Sequence, residues 1–455
     1  MINGTAPETD VIAAIATAPG QGAVGIVRLS GEGAMDVLAK IFVTSGDDIK
    51  SHRMYYGTIR HDGAVIDEVM VCAMIAPRSY TREDVVEIYA HGGMVVLRAV
   101  LQAAIYNGAR LAQPGEFTKR AFLNGRLNLA QAEAVMDIIS AGSEAARRAG
   151  LRQLGGGLSR RIANIRDAIL MWLAHIELSI DYPEHEDEAK NAAEILGEGE
   201  AVLAELYRLN DSSKIGRILR EGVRTAIIGR PNVGKSTLLN AILREDRAIV
   251  HEQAGTTRDV LTEHVLINDV KLMLMDTAGI RETHDQIEKI GVEKTLATAA
   301  DAELVLYVAD RTQGFLPEDA AILEGMADKK VIILLNKCDL PAAAQINVNF
   351  PHVLEISADT GQGMDNLYNL IGQIFLAGID TNSDNDIITR ERHRVLIEKA
   401  ANHVQAAMNE LAIGTPEDLA AIELRAAYIS LGEILGTEVG DDIVDRIFAE
   451  FCLGK

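Results

Sequence analysis

Gly229-Arg230-Pro231-Asn232-Val233-Gly234-Lys235-Ser236 is a G-x-x-x-x-G-K-[ST] pattern. A short apolar run, Thr225 to Ile228, precedes it, and Thr237-Leu238-Leu239-Asn240-Ala241-Ile242-Leu243 follows. Strand, loop and helix in that order are the setting in which the pattern means a phosphate-binding loop. The glycines let successive backbone N–H groups turn inward around phosphate oxygens, and the helix N-terminus adds its positive end. Lys235 can reach the β- and γ-phosphates, and the Ser236 hydroxyl can hold Mg²⁺.

Four further signals follow in the order a GTPase needs. Gly255-Thr256-Thr257-Arg258-Asp259 offers a threonine, Thr257, that can close over a γ-phosphate and complete the Mg²⁺ shell. Asp276-Thr277-Ala278-Gly279 ends an apolar strand-like run; its aspartate can support the Mg²⁺ shell and its glycine N–H can touch the γ-phosphate. Asn336-Lys337-Cys338-Asp339 supplies a carboxylate, Asp339, for guanine N1–H and N2–H₂, which adenine does not present. Ser357-Ala358-Asp359 suits a backbone contact to guanine O6. The expected GTP set is therefore Asn232, Val233, Gly234, Lys235, Ser236 and Thr237; His251, Glu252, Gln253, Ala254, Gly255, Thr256 and Thr257; Asp276 to Gly279; Asn336, Lys337 and Asp339; and Ser357 to Asp359. Lys235 and Thr257 are the expected catalytic members.

The residue after Asp-Thr-Ala-Gly is Ile280, where Ras-like enzymes carry a water-orienting glutamine. An isoleucine cannot orient water, so another group must. Glu282, Asp285 and Glu288 lie nearby, and spacing alone does not choose among them. Asn232 has two readings: a side-chain carbonyl for a monovalent cation beside the phosphates, or a loop-stabilising asparagine.

The elements that must position these groups follow the hydrophobic pattern. Strands are expected at 223–229, 261–268, 270–275, 303–309, 330–335 and 352–356, alternating with helices, which implies a mostly parallel sheet covered on both faces. Before it, Val11–Ala16, Ala23–Leu29, Met54–Ile59, Val65–Met74 and Asp84–Tyr89 read as strands, with a hairpin turn at His61-Asp62-Gly63 and a helix over Met94–Ile105. Helical spacing takes over with Leu129, Ala132, Val135, Met136 and Ile139, then with Ile162 to Ile180. The acidic stretch Asp181–Glu188, holding Pro183, reads as a solvated loop. After 380 three more helices are patterned by Val395 to Leu411, Leu419 to Ile434 and Ile443 to Phe451. Helical blocks on both sides of a compact α/β unit suggest an insertion, with the flanks packing as one bundle.

Composition bounds the rest. The 455 residues are 48% apolar and 24% charged, the range of a globular, multidomain chain. No apolar run reaches membrane-span length and no secretory signal is apparent. Three scattered cysteines, Cys72, Cys338 and Cys452, suit a reducing cytoplasm. A formal charge of −22 has two readings: another chain supplies much of any RNA grip, since free-standing nucleic-acid binders are usually basic, or the charge serves solubility alone.

End to end, the chain resembles the MnmE (TrmE) family of tRNA-modification GTPases. Besides the GTPase series with Asn232 and Ile280, the resemblance is carried by Gly25-Ile26-Val27-Arg28-Leu29-Ser30-Gly31, Tyr80-Thr81-Arg82-Glu83-Asp84-Val85-Val86-Glu87 and His91-Gly92-Gly93. Pro114-Gly115-Glu116-Phe117-Thr118, the run Arg120 to Leu127 and the closing Phe451-Cys452-Leu453-Gly454-Lys455 complete it. It implies an N-terminal α/β tetrahydrofolate-binding and dimerisation domain (1–120), an α-helical bundle in two parts (121–221 and 380–455), and an inserted Ras-like P-loop GTPase domain (222–379). It implies 5-formyl- or 5,10-methylene-tetrahydrofolate held by Arg28, Glu87, Arg126 and Lys455. It implies K⁺ activation, with Asn232, His251, Gln253 and Thr256 around the ion, and Glu288 as the water-orienting residue. It implies a homodimer that joins the FAD-dependent protein MnmG in a heterotetramer, which modifies C5 of the wobble uridine of certain tRNAs. Cys452 can be a nucleophile toward uridine or the one-carbon unit, or a small buried or tail-docking residue. Two rival readings are a ribosome-assembly GTPase, which would need a basic RNA-binding face, and a stand-alone folate enzyme with a regulatory GTPase domain.

Overall fold

The computed structural model describes residues 10–45, 48–181, 192–244, 263–275, 299–326, 329–342, 350–376, 386–413 and 415–455. The chain divides into two compact units, one of residues 1–136, 153–206 and 395–455, the other of 137–152 and 207–394. The acidic stretch after Asp181 lies outside the described residues.

In the first unit, β1 (Val11–Ile15), β2 (Gly22–Ser30), β3 (Phe42–Val43), β4 (Met54–His61), β5 (Ala64–Met74), β6 (Val85–Gly92) and β7 (Ala109–Leu111) form one sheet in the order β3-β4-β5-β6-β2-β1-β7. All its pairs are antiparallel except β1 with β7. The β4–β5 hairpin turns through Asp62 and Gly63 at φ 49° and 79°, the two left-handed positions that a tight turn matched to strand twist requires. Helices Ala34–Ile41 and Met94–Tyr106 bury Val37, Leu38 and Ile41, and Leu97, Val100 and Ala103, in the core that holds Val27, Leu29, Val71 and Ile88. Register sets Ala14, Arg28, Glu87 and Cys72 in one row across β1, β2, β6 and β5.

The helices of this unit come from both sides of the second one in sequence. Gly157–Asp181 packs on Glu417–Leu435, where the Arg166 guanidinium lies 4.0 Å from the Tyr428 ring centroid. Trp172 is 1% exposed, and a Cβ at Gly199 would fall 2.5 Å from its ring and 2.9 Å from the Met408 sulfur. Glycine is needed there because only its missing side chain lets those helices approach. Val395, Leu419, Ile422 and Ile443 are exposed instead of lining this core. On helix Glu417–Leu435 the buried face is made by Ala420, Ala421, Leu424, Ala427, Leu431 and Ile434.

In the second unit, β8 (Val223–Ile228), β9 (Glu263–Ile267), β10 (Val270–Leu274), β11 (Leu304–Asp310), β12 (Lys330–Asn336) and β13 (Val353–Glu355) make a six-stranded sheet ordered β13-β12-β11-β8-β10-β9. Every pair is parallel except β9 with β10. The strands lie within two residues of the spans expected from sequence. β11 and β12 are continuous apolar runs because apolar cores cover both faces of a parallel sheet. The β9–β10 turn, Asn268–Asp269, has both residues at positive φ, and the Asp269 carboxylate accepts the N–H groups of Glu144 (2.7 Å) and Ala145 (2.8 Å). It thereby satisfies donors at the start of helix Glu144–Leu154.

Candidate functional site

The phosphate loop leaves the carboxyl end of β8 and enters helix Lys235–Arg244, where ligands of such sheets bind. Its glycines are dictated by close approach. A Cβ at Gly229 (φ 150°) would meet the Val308 carbonyl at 2.1 Å, and one at Gly234 (φ 100°) would meet Asn336 Nδ2 at 2.2 Å. Asn232 takes φ 63°, a left-handed conformation that asparagine tolerates better than most residues. Val233 is buried beneath the loop, while Asn232, Ser236 and Thr237 are exposed.

Lys235 Nζ donates to the carbonyls of Gly229 (2.8 Å) and Arg230 (2.7 Å), so its ammonium folds back over its own loop. Burial pushes it below the ordinary lysine value. A dianionic phosphate brought to this spot meets a partly desolvated cation with part of its hydration already replaced.

Asn336 ties two of the expected motifs together. Its Nδ2 donates to the Val233 carbonyl (2.8 Å) and its Oδ1 accepts the Ala358 N–H (3.0 Å). Lys337, at φ 66°, donates from Nζ to Asp310 Oδ2 (2.6 Å) and to the Asn232 carbonyl (3.2 Å). Burial alone would raise the Asp310 carboxyl; Lys337 and Thr312 override it and hold it below the ordinary aspartate value. Asp339 and Asp359 are exposed beside this clamp, and Ser357 and Ala358 are buried. Lys235, Asn336, Lys337 and Ala358 are thus drawn to one rim of the sheet. His251 to Thr257, Asp276 to Gly279, Ile280 and Glu288 lie outside the described residues.

Two residues that the sequence reading passed over hold this rim. Asp319, fully buried, accepts from Arg230 Nε (2.9 Å), the Tyr307 hydroxyl (2.6 Å) and the Leu316 N–H (2.8 Å). Asp310 anchors Lys337 as described. An acid closing an otherwise apolar strand, Leu304–Ala309, was the available signal for Asp310.

A second constellation lies in the first unit. Arg28 donates from Nε to Glu87 Oε1 (2.9 Å) and from Nη1 to the Gly454 carbonyl (3.2 Å), and the Tyr89 hydroxyl donates to Glu87 Oε2 (2.6 Å). Burial, with Glu87 beside it, pushes the Tyr89 phenol up to about 12. Burial, then Arg28, pushes the Lys455 ammonium down. Arg126 stacks 4.7 Å from the Tyr80 ring centroid and donates to the Tyr80 carbonyl (2.7 Å), while Arg28 lies 5.9 Å from the same centroid. The C-terminal tail is seated on this site. The Cys452 carbonyl accepts the N–H groups of Gly115 (3.4 Å) and Lys455 (3.3 Å), and its side chain is exposed, not buried.

Comparison with known proteins decides the family. A model of the TrmE GTP-binding protein N-terminus matches residues 11–126, and the MnmE helical domain model matches residues 129–452. The chain belongs to the MnmE family of tRNA modification GTPases. The tRNA modification GTPase MnmE of Finegoldia magna is 46% identical over 451 residues, 98% of this chain and 100% of that protein. Those of Listeria welshimeri and Enterococcus faecalis are 45% and 46% identical over 456 and 459 residues, 98% of this chain and 100% and 99% of theirs.

The docking of the tail can be tested. Gly454 sits at φ 89°, and a Cβ there would fall 2.5 Å from the Ile15 carbonyl. Gly454→Ala is expected to loosen the tail by about 1–3 kcal/mol, the strain of a non-glycine residue held left-handed. Carboxypeptidase digestion followed by mass spectrometry should show faster loss of Lys455; an unchanged rate would contradict the docking.

Proposed function

We propose that this chain is a K⁺-activated GTP hydrolase that, with MnmG, installs an aminomethyl or carboxymethylaminomethyl group at C5 of uridine 34 in certain tRNAs, using a folate one-carbon unit. The observation that carries the nucleotide half is the Asn336 bridge, which joins the phosphate loop to the base-reading segments. Membership of the MnmE family supports the tRNA half.

Ser236 and Thr257 are assigned to Mg²⁺, and Asn232 with His251, Gln253 and Thr256 to K⁺. The fit rests on the described loop: Ser236 and Asn232 are exposed at its mouth, and the glycine cradle leaves no room for side chains. Bound there, the cations offset charge that develops on the phosphates in the transition state. Lys235 holds the β- and γ-phosphates, the loop N–H groups orient them, and Glu288 places the water. Asp339 and Ala358 read guanine.

Arg28, Glu87, Arg126 and Lys455 are assigned to the folate. A carboxylate held by Arg28 and Tyr89 suits the paired N–H groups of a pterin, and Arg126 over Tyr80 offers a cation for the glutamyl end. Cys452 remains available at that site. The chain acts as a homodimer in a cytoplasmic heterotetramer with MnmG, with domains bounded near 120, 221 and 379. Among the described residues no helix is long and apolar enough to cross a membrane.

Asp339→Asn tests the base assignment. GTP affinity should fall on the order of a hundredfold or more, while xanthosine triphosphate gains, because the amide donates where guanine also donates. Competition binding with both nucleotides reads the switch; unchanged guanine preference would contradict it.

A further inference from the structure

A groove of about 580 Å³ opens beside the Arg28–Glu87 pair, and Tyr80 is common to both. His52, Arg78, Arg82 and Arg126 line it, and among the described residues no carboxylate does, in a chain where acids outnumber Lys and Arg by 66 to 44. The two acids that follow Arg82 are committed elsewhere. Glu83 accepts from Ser30 (2.8 Å) and Arg120 (3.2 Å), and Asp84 accepts the Ala76 N–H (2.9 Å).

Two residues of the groove lining are left-handed: Arg82 sits at φ 61° and His52 at φ 60°. Among the described positive-φ residues, Arg82 and Lys337 are the two that are not Gly, Asn, Asp or His, the types that accept that region most readily. Lys337 belongs to the nucleotide rim, so the other strained cation points to a ligand here as well. Arg82 Nη1 is held by the Asn124 carbonyl (3.0 Å), and Arg126 is held over Tyr80, so two guanidinium forks are fixed before any ligand arrives.

We infer that this groove takes the γ-linked glutamyl tail of the folate and that the protein binds oligoglutamyl folates in preference to the monoglutamyl form. The inference rests on the folate reading of Arg28, Glu87, Arg126 and Lys455. Each added γ-glutamate brings one carboxylate and no cation, so the first steps beyond the monoglutamate gain Arg78 and Arg82 as partners while the pterin end is unchanged. Arg78 and Arg82 are the tail-specific groups.

Titration calorimetry with 5-formyltetrahydrofolate as mono- and pentaglutamate tests this. The pentaglutamate should bind about tenfold more tightly in low salt, and the advantage should shrink at high salt, as exposed ion pairs require. In the Arg78→Ser, Arg82→Gly double variant, where glycine keeps the left-handed backbone, the ratio of the two affinities should approach one. Equal affinities in the wild type would overturn the tail assignment alone, and an advantage that persists in the double variant would overturn the groove. Binding of neither form would sink the folate reading together with the inference.

Discussion

Glu288→Ala is expected to bind GTP as the wild type does and to hydrolyse it about 10²- to 10⁴-fold more slowly, the range for losing a group that positions or deprotonates a nucleophile. Ile280 stands where a water-orienting glutamine would, so no side chain at that position can compensate. Binding of a fluorescent GTP analogue, read beside single-turnover hydrolysis, separates the two effects. Weakened binding with normal turnover would place Glu288 in nucleotide affinity instead.

Replacing K⁺ by Na⁺ at constant ionic strength is expected to lower GTP turnover by about tenfold or more. An alkali cation in the place of an arginine finger acts only on charge developing between the β- and γ-phosphates, so turnover should change and ground-state affinity should not. Of the residues proposed for that cation, Asn232 is the one among the described residues. Its main-chain carbonyl already accepts Lys337 Nζ, and its exposed side chain stands at the loop mouth. Equal rates in both salts would remove the cation from the account.

The contrast between what was and was not legible in the sequence follows from what each feature depends on. The strands around the phosphate loop were readable because parallel strands buried on both faces must be apolar along their length, as Leu304–Ala309 and Val331–Leu335 are. The loop was readable because its glycines answer to local contacts, with Val308 and Asn336 in the way of any side chain. The strand Phe42–Val43 and the three-residue Ala109–Leu111 were not, since two or three residues show no period. Asp319 reaches Arg230 across 89 positions, and the Arg28–Gly454 contact spans 426, so both are products of tertiary approach that spacing cannot encode. Asp10, Glu83, Glu116 and Arg120 show the same limit: each reads alone as a solvated charge, yet they meet in one network around an Arg120 that is 5% exposed. A buried guanidinium is tolerated there because three carboxylates share it.

The central proposition is that two GTPase domains of a dimer meet around the transition state only when potassium is present. Small-angle scattering of the full-length protein with GDP and aluminium fluoride, in K⁺ and then in Na⁺, tests it most directly. The account predicts the mass of a dimer in both salts and a smaller radius of gyration in K⁺. A single-subunit mass, or superimposable profiles in the two salts, would contradict it.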